Sequence, residues 1–195
     1  MALGLGTGQP AGAVLLAGPT PRNELVMAAV DLLLRAANVE RQQLAMVVAS
    51  RGPGSFTGIR VALATAQGLA LAVGAPCHGV PSLLAQAVRC GAPCLAVQPA
   101  RRGLVYAQPF GPGTPLPTPL APITTVPIDS LAASELPVAA PAGLLLPSGT
   151  PVATASRSTG EALLLVGELV ALDHAWPAIP LYAEPPAAVA ATGGT

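Results

Sequence analysis

Apolar runs of two kinds alternate along the first half of the chain. Short runs rich in β-branched residues are typical of buried strands, whereas longer apolar stretches of good helix formers without proline are typical of helices. The pattern predicts strands at 1–5, 13–17, 44–49, 77–80, 95–98 and 104–107, and helices at 21–37, 57–73, 82–89 and 160–173. This alternation of strands and helices indicates an α/β fold.

The second half of the chain is less regular because it is rich in proline. The segment 109–122 contains six prolines, and proline removes a backbone donor and interrupts regular elements. We therefore expect an extended loop or linker at 109–122, and an irregular segment at 131–151. With 195 residues the chain is long enough to bury a core.

A glycine-rich loop at 51–60, Arg-Gly-Pro-Gly-Ser-Phe-Thr-Gly-Ile-Arg, separates a predicted strand from a predicted helix. Backbone N–H groups at the start of a helix favour anions, and the residues placed to contact such a ligand are Gly54, Ser55 and Thr57. The alternative is a tight turn, in which Ser55 or Thr57 caps the helix. A phosphate-binding P-loop is excluded, because that motif requires a Lys and the sequence contains none.

Two of the predicted helices carry more apolar or small residues than a single buried stripe needs. For the helix at 21–37, the surplus is explained either by a second face that a partner covers or by burial inside the domain. The helix at 57–73 has Gly or Ala at every fourth position from 58 to 74, which permits close approach of another element. These patterns predict a partner interface formed by Leu25, Ala29, Leu32, Leu33, Ala62, Ala66 and Ala70.

Charge and cysteine content exclude several classes of function. Charged residues make up 9% of the chain and the net charge is zero, which argues against independent nucleic-acid binding because such binding needs a clustered basic surface. The apolar fraction is 52%, yet no stretch offers the roughly 20 strongly apolar residues of a membrane span. Cys77, Cys90 and Cys94 are odd in number and, with His78, fit no common zinc spacing. No metal site and no catalytic residue is predicted.

Several motifs resemble those of the TsaB (YeaZ) family. The segment 52–60, Gly-Pro-Gly-Ser-Phe-Thr-Gly-Ile-Arg, resembles the family signature Gly-Pro-Gly-Ser-Phe-Thr-Gly-Leu-Arg. The segment 79–83, Gly-Val-Pro-Ser-Leu, resembles Gly-Val-Ser-Ser-Leu, and 100–107, Ala-Arg-Arg-Gly-Leu-Val-Tyr-Ala, resembles Asp-Ala-Arg-Arg-Gly-Glu-Val-Tyr. Near the end, 180–182, Pro-Leu-Tyr, resembles the closing Pro-x-Tyr. The resemblance is strongest over 44–107.

The resemblance implies an actin-like, sugar-kinase-like (RNase H-like) ASKHA fold with two subdomains, here 1–98 with the two helices and 99–195 with the loop 109–122. It also implies a non-catalytic dimerisation and activating subunit of the complex that adds a threonylcarbamoyl group to adenosine next to the anticodon of tRNAs. The implied partners are a paralogous TsaD-like transferase, its small TsaE-like ATPase and, as a competing state, a second copy. Contact with tRNA would occur only through the complex, in the cytoplasm, with no membrane and no cofactor.

The chain departs from the family pattern where polar chemistry is expected. Gly6 stands where the family has Asp at the end of the first strand, Pro99 replaces the Asp of Asp-Ala-Arg, and Glu184 replaces a closing Arg. Since actin-like ATPases use carboxylates to hold metal-nucleotide, nucleotide binding is not expected. An actin-like-fold ATPase or kinase-like enzyme and a glycoprotease-like enzyme remain alternative interpretations.

Overall fold

The computed structural model describes residues 2–4, 10–13, 25–171 and 176–183. Its elements follow the predicted alternation, and the predicted α/β class is confirmed. In chain order they are β1 (Ala2–Gly4), β2 (Pro10–Ala13), α1 (Val26–Ala36), β3 (Val47–Gly52), α2 (Phe56–Val73), β4 (Cys77–Pro81), α3 (Ser82–Cys90), β5 (Cys94–Pro99), β6 (Leu104–Gly111), β7 (Thr118–Pro119), β8 (Thr124–Pro127), β9 (Val138–Ala139) and α4 (Thr159–Ala171). Short 3-10 helices lie at Arg41–Gln43 and Ile128–Ala133.

Two helices pack against β3, which pairs in parallel with β4. One side chain per turn of α2 faces this strand and is buried there, as expected for a helix lying on a sheet. The helix α4 approaches β3 closely at Gly167, where an added Cβ would overlap the side chain of Val48. Burial of these apolar faces holds α2 and α4 against the sheet.

The second half contains a five-stranded sheet in the order β7-β6-β5-β9, with β8 also paired to β6. The expectation that 109–122 holds no regular element was wrong at two places, since β6 continues through Pro109 to Gly111 and Thr118–Pro119 forms β7. Pro109 lacks a donor, but its carbonyl accepts a hydrogen bond from Leu120 N at 2.9 Å. Phe110, which follows it, is only 2% exposed, so its burial holds the strand in place.

The largest core cluster joins the two halves of the chain. It combines residues of β4 and α3 with Cys94 of β5, Phe110 of β6 and Val166 of α4. The strand β5 pairs with β6 and β9, so the proposed boundary at 98/99 falls inside the first strand of the five-stranded sheet. The division into two subdomains stays a prediction. Residues 5–9, 14–24, 172–175 and 184–195, which include most of the second predicted strand, the start of the first predicted helix, Gly6 and Glu184, lie outside the described residues.

Within the described residues, α2 is the one helix long and apolar enough to cross a membrane, with a mean hydropathy of 1.4 over 18 residues. Length and composition alone are weak evidence for a membrane span, and α2 also contains Arg60 and Gln67. The side chain of Gln67 donates a hydrogen bond to the carbonyl of Ala178 at 2.8 Å. In this structure α2 is a helix packed on a sheet by one face.

Candidate partner interface and glycine-rich loop

The glycine-rich loop turns the chain sharply from β3 into α2. Gly52 has φ of +100°, and a Cβ there would lie 2.8 Å from the carbonyl oxygen of Leu181 and 2.7 Å from the side chain of Ile59. Both the positive φ and the close approach require glycine at this position. The loop is therefore in close contact with Leu181 near the end of the described chain and with Ile59 of α2.

The structure assigns the helix cap to Ser55. Its hydroxyl accepts a hydrogen bond from the backbone N–H of Gly58 at 3.3 Å, whereas Thr57 is exposed and makes no cap. The side chain predicted as an anion contact is thus engaged with the helix itself. Binding of a ligand by Gly54, Ser55 and Thr57 stays a prediction.

Replacement of Ser55 by Ala is expected to lower the free energy of unfolding by about 1 kcal/mol, the typical cost of a lost N-cap. The matched variant Thr57→Ala is expected to change it by less than about 0.5 kcal/mol, because surface substitutions away from special features have small effects. Urea denaturation of both variants checks this. Equal losses in the two variants would contradict the assignment of the cap.

A short segment at the end of the described chain, residues 176–182, runs along α2 and β4; we call it the C-terminal strap. Gly79 N donates to Trp176 O at 3.1 Å, and Leu181 N donates to Arg51 O at 2.7 Å. Gly79 lacks the Cβ that would lie 2.7 Å from Pro177 O. The strap thus fixes the Gly-rich loop and one flank of α2. Sequence reasoning missed it, although the motif Pro-Leu-Tyr at 180–182 was a signal.

The strap brings two aromatic rings together at the start of α2. The rings of Phe56 and Tyr182 stack with centroids 5.6 Å apart and planes inclined by 26°. The guanidinium carbon of Arg60 lies 5.2 Å from the Phe56 centroid, over the ring. Phe56 is 50% exposed and Tyr182 is 43% exposed. We call these three residues the aromatic–arginine cluster.

The exposed face of α2 is not the face predicted from the small residues at every fourth position of this helix. Ala66 and Ala70, two of the predicted interface residues, are buried in the protomer, and Ala66 packs in one cluster with Ile59 and Leu63. Their small side chains serve close packing of α2 on its own domain, which corrects their assignment to a partner contact. Ala62 is exposed at the flank. The face that points outward consists of Thr57, Ala64, Gly68, Leu71 and Ala72, which we call the outward stripe.

The surplus apolar residues of α1 divide into a buried set and an exposed set. Ala29 and Leu33, which were predicted to contact a partner, are 6% and 7% exposed and belong to the interior. Leu25 and Leu32 are 36% and 58% exposed, and Met27 is 40% exposed. Of the predicted interface residues, the structure therefore leaves Leu25, Leu32 and Ala62 at the surface.

An open groove of about 410 Å³ lies between the two helices. At one rim Arg41 pairs with Asp31 of α1 at 2.8 Å, which fixes the 3-10 turn beside α1. The outward stripe contributes Gly68 and Ala72. The groove is lined by Met27, Arg41, Gln42, Thr65, Gly68, Leu69, Ala72 and Val73.

Gly68 lies in the middle of α2 and on the floor of this groove. An added Cβ there would have no heavy atom within 4 Å. Packing against the described part of the chain therefore does not require glycine at this position. The outward stripe is left unusually flat at its centre, with Leu71 86% exposed beside it.

The three cysteines are free, and Cys94 is fully buried at the start of β5. Burial raises the pKa of the Cys94 thiol to about 11, and the neighbouring Cys90 adds to the increase. Burial also raises the pKa of Cys77, and that of Cys90 despite the opposing charge of Arg89. Within the described residues, no group of three His, Cys, Asp or Glu side chains is arranged to hold a metal ion.

The raised pKa predicts how stability depends on pH. Because the folded state keeps the Cys94 proton above its ordinary pKa of 9.0, this thiol's contribution is fully present below pH 9 and is lost as pH rises toward 11. The wild type is expected to lose more stability between pH 9 and 11 than Cys94→Ala does, as measured by urea denaturation. Parallel pH profiles for the two proteins would contradict the prediction.

Comparison with known proteins agrees with this architecture. A family model described as TsaD, tRNA N6-adenosine threonylcarbamoyltransferase, matches residues 22–112. The chain is 34% identical over 93 residues to the tRNA threonylcarbamoyladenosine biosynthesis protein TsaB of Escherichia coli, covering 45% of this chain and 40% of that protein. It is 46% identical over 77 residues to an uncharacterised protein of Mycobacterium leprae, covering 40% of this chain and 21% of that protein. The matches thus span two fifths or less of these relatives.

Solved structures match over more of the chain. YeaZ from Pseudomonas aeruginosa superposes with a TM-score of 0.65 at 25% identity, covering 83% of this chain and 85% of that one. A second chain, described as similar to peptidase YeaZ from Pseudomonas aeruginosa, has a TM-score of 0.64 at 22% identity and covers 85% of this chain and 86% of that one. The fold is therefore of the actin-like, RNase H-like class. The Gly-rich motif and these matches show that the chain is similar to TsaB (YeaZ) proteins.

Proposed function

We propose that this protein is a non-catalytic dimerisation and activating subunit in the biosynthesis of threonylcarbamoyladenosine next to the anticodon of tRNAs. The observation that carries the proposal is the apolar, nearly uncharged surface that α1 and α2 leave exposed. The names of the curated relatives support the pathway. In this role the chain would act on tRNA only through the complex, in the cytoplasm.

The surface has the features of a helix-packing interface. It joins the outward stripe of α2 to Met27 of α1 across the groove. Small residues at the centre of a helix face allow another helix to approach closely, because the interaxial distance depends on the side chains at the contact. Two helices from each partner supply the roughly 1,200–2,000 Å² that a stable interface buries.

Two occupants fit this surface. One is a second copy of the chain, and the other is a paralogous TsaD-like transferase with the same fold class, which a small TsaE-like ATPase would join. Because both would cover the same stripe, the homodimer and the heterodimer should exclude each other. The sequence supports a non-catalytic role, since it has no Lys and has Gly6 and Pro99 at positions where the family has carboxylates.

Sedimentation of the protein at micromolar concentration, alone and with the purified transferase, tests the proposal. A dimer that converts to a 1:1 complex with the transferase is the expected result, together with no detectable ATP hydrolysis by the isolated chain. A protein that stays monomeric and does not associate with the transferase would refute the scaffold role. Micromolar ATP binding with hydrolysis would instead favour the ATPase alternative.

A further inference from the structure

The C-terminal strap, residues 176–182, crosses three elements and is bonded to each of them. Backbone hydrogen bonds fix it to Gly79 of β4 and to Arg51 of β3. The side-chain amide of Gln67 in α2 donates a hydrogen bond to the carbonyl of Ala178 at 2.8 Å. The strap therefore connects α2 to both strands of the parallel pair on which this helix lies.

One strap residue also belongs to the apolar core beneath α2. Ala178 is 8% exposed and packs in one cluster with Ile59, Leu63 and Ala66 of α2 and with Ala49 of β3. This cluster is separate from the largest core cluster. Release of the strap would expose it to water, and burial of such apolar surface is the main force that holds α2 on the sheet.

The strap meets α2 a second time at the first turn of the helix. There the aromatic–arginine cluster stacks the ring of Tyr182 on Phe56, the first residue of α2. Gln67 lies about three turns further along the helix. Contacts at two points so far apart fix both the position and the tilt of α2.

Two glycines leave the space that the docked strap occupies. A Cβ on Gly79 would lie 2.7 Å from Pro177 O and 3.1 Å from the Cα of Ala178, and a Cβ on Gly52 would lie 2.8 Å from Leu181 O. Because these neighbours are backbone atoms, a side chain at either position would displace the strap. The loop and β4 are thus shaped to receive it.

The strap is held less firmly than the sheets. Residues 176–182 form no helix, and their one ladder contact is an isolated bridge between His78 and Pro177. Trp176 packs against the largest core cluster and anchors the start of the strap. Segments with few backbone hydrogen bonds and little buried apolar surface open at a lower free energy than the core, so we expect the strap to open from Pro177 onward.

We propose that the strap is a conformational clasp for α2, in which α2 and residues 177–182 open and close as one unit, separately from the five-stranded sheet. With the strap docked, α2 lies on β3 and presents the outward stripe; with the strap released, α2 loses part of its core and two fixed points. The strap contributes no residue to the lining of the groove, which lies on the opposite flank of α2. The clasp would therefore control the partner surface from a distance, a consequence that rests on the proposed function.

Gln67→Met tests the clasp in the full chain. It removes the amide that donates to Ala178 O, while glutamine and methionine have nearly equal helix propensity. Hydrogen exchange followed by mass spectrometry compares peptides from α2, from the strap and from β5–β6. Exchange of α2 and of the strap is expected to accelerate by the same factor, about two- to tenfold for one lost hydrogen bond, with β5–β6 unchanged.

A second variant releases the strap more strongly. Ala178→Asp places a carboxylate in the apolar cluster beneath α2, and an unpaired buried charge is costly. It should accelerate exchange of the same two segments further than Gln67→Met does. Acceleration of the strap without α2 in both variants would overturn the inference, because the strap would then be an independent flap.

Gln108→Met is the matched control. The side-chain amide of Gln108 in β6 donates to the carbonyl of Ala121 at 3.0 Å, so the same substitution removes the same kind of hydrogen bond elsewhere in the fold. Exchange of α2 and of the strap should match the wild type in this variant. An equal response of α2 to Gln108→Met, or equal acceleration of β5–β6 in Gln67→Met, would show a general loss of stability and contradict a separate unit.

The same measurement with the purified transferase tests the effect on the partner surface. A partner that binds only the closed form slows opening by mass action, about a hundredfold at 100 times Kd. Exchange of the strap is expected to slow by that factor, and unchanged exchange in an assembled complex would overturn the coupling. If the protein does not assemble, matched acceleration of α2 and the strap in Gln67→Met would leave the clasp standing and refute only the proposed function.

Discussion

Replacing Ala64 by Glu is expected to abolish assembly of this protein while leaving its protomer folded. Ala64 lies in the outward stripe and is exposed, so the protomer accommodates the longer side chain. In an interface the carboxylate would be buried without a partner, at a cost of about 3 kcal/mol or more. That cost corresponds to a weakening of at least about a hundredfold. Sedimentation equilibrium over a range of concentrations measures it for the homodimer and for the complex with the transferase.

The matched control is Ala62→Glu, which makes the same substitution two residues earlier on the same helix. Ala62 is also exposed but lies at the flank, outside the outward stripe. Ala62→Glu is expected to assemble within about tenfold of the wild type. If Ala62→Glu dissociates the complex and Ala64→Glu does not, the partner contacts the row predicted from the sequence and not the outward stripe. Circular dichroism of both variants checks that the helices are intact.

The second large effect is expected at the contact between α4 and β3. A methyl group on Gly167 would overlap Cγ2 of Val48 and press against its Cγ1 at 3.2 Å, and overpacking of this kind typically costs about 1–3 kcal/mol. Gly167→Ala is therefore expected to lower the free energy of unfolding by about 2 kcal/mol, although alanine favours helices over glycine by up to about 1 kcal/mol. Urea denaturation at fixed protein concentration measures the change.

A double variant distinguishes overlap from other causes. Val48→Ala removes the two methyl groups that the new side chain would meet, so it should offset part of the loss caused by Gly167→Ala. The coupling between the two substitutions is expected to exceed about 1 kcal/mol, since the residues are in contact. Strict additivity would show that Gly167 serves a purpose other than close approach.

The order and type of the elements in the middle of the chain were predictable from the sequence because their signals are local. The helix α2 was predicted to within one residue, since a Gly-rich loop and a Ser cap precede it and Gly74, in the left-handed conformation, ends it. The prediction of no regular element at 109–122 was wrong because proline content indicates only the local cost of placing proline in a strand. At β6, burial of Phe110 outweighs that cost.

The candidate site was less predictable, because it depends on which face of a helix meets the rest of the fold. A row of small residues is compatible with a partner or with the protein's own sheet, and the sequence does not distinguish these two cases. In the structure Ala66 packs in one cluster with Ala49 of β3 and Ala70 is also buried, and the stripe on the opposite face is the one left open. The strap was equally hidden, since its hydrogen bonds join groups far apart in the chain, such as the side-chain amide of Gln67 and the carbonyl of Ala178, which are 111 residues apart.

Because the space beside Gly68 is unoccupied in the described structure, stability of the isolated chain and close approach of a partner helix favour different residues at position 68. Glycine in a helix interior is less favourable than alanine by about 1 kcal/mol, and no described residue occupies the space that a side chain at position 68 would fill. A search for heat-resistant variants of the isolated chain would therefore enrich alanine at position 68. The same methyl group would hold a partner helix away from α2. Under the proposed interface, optimising this protein by itself would select forms unable to assemble, so directed evolution of it would have to be carried out in the presence of the proposed partner.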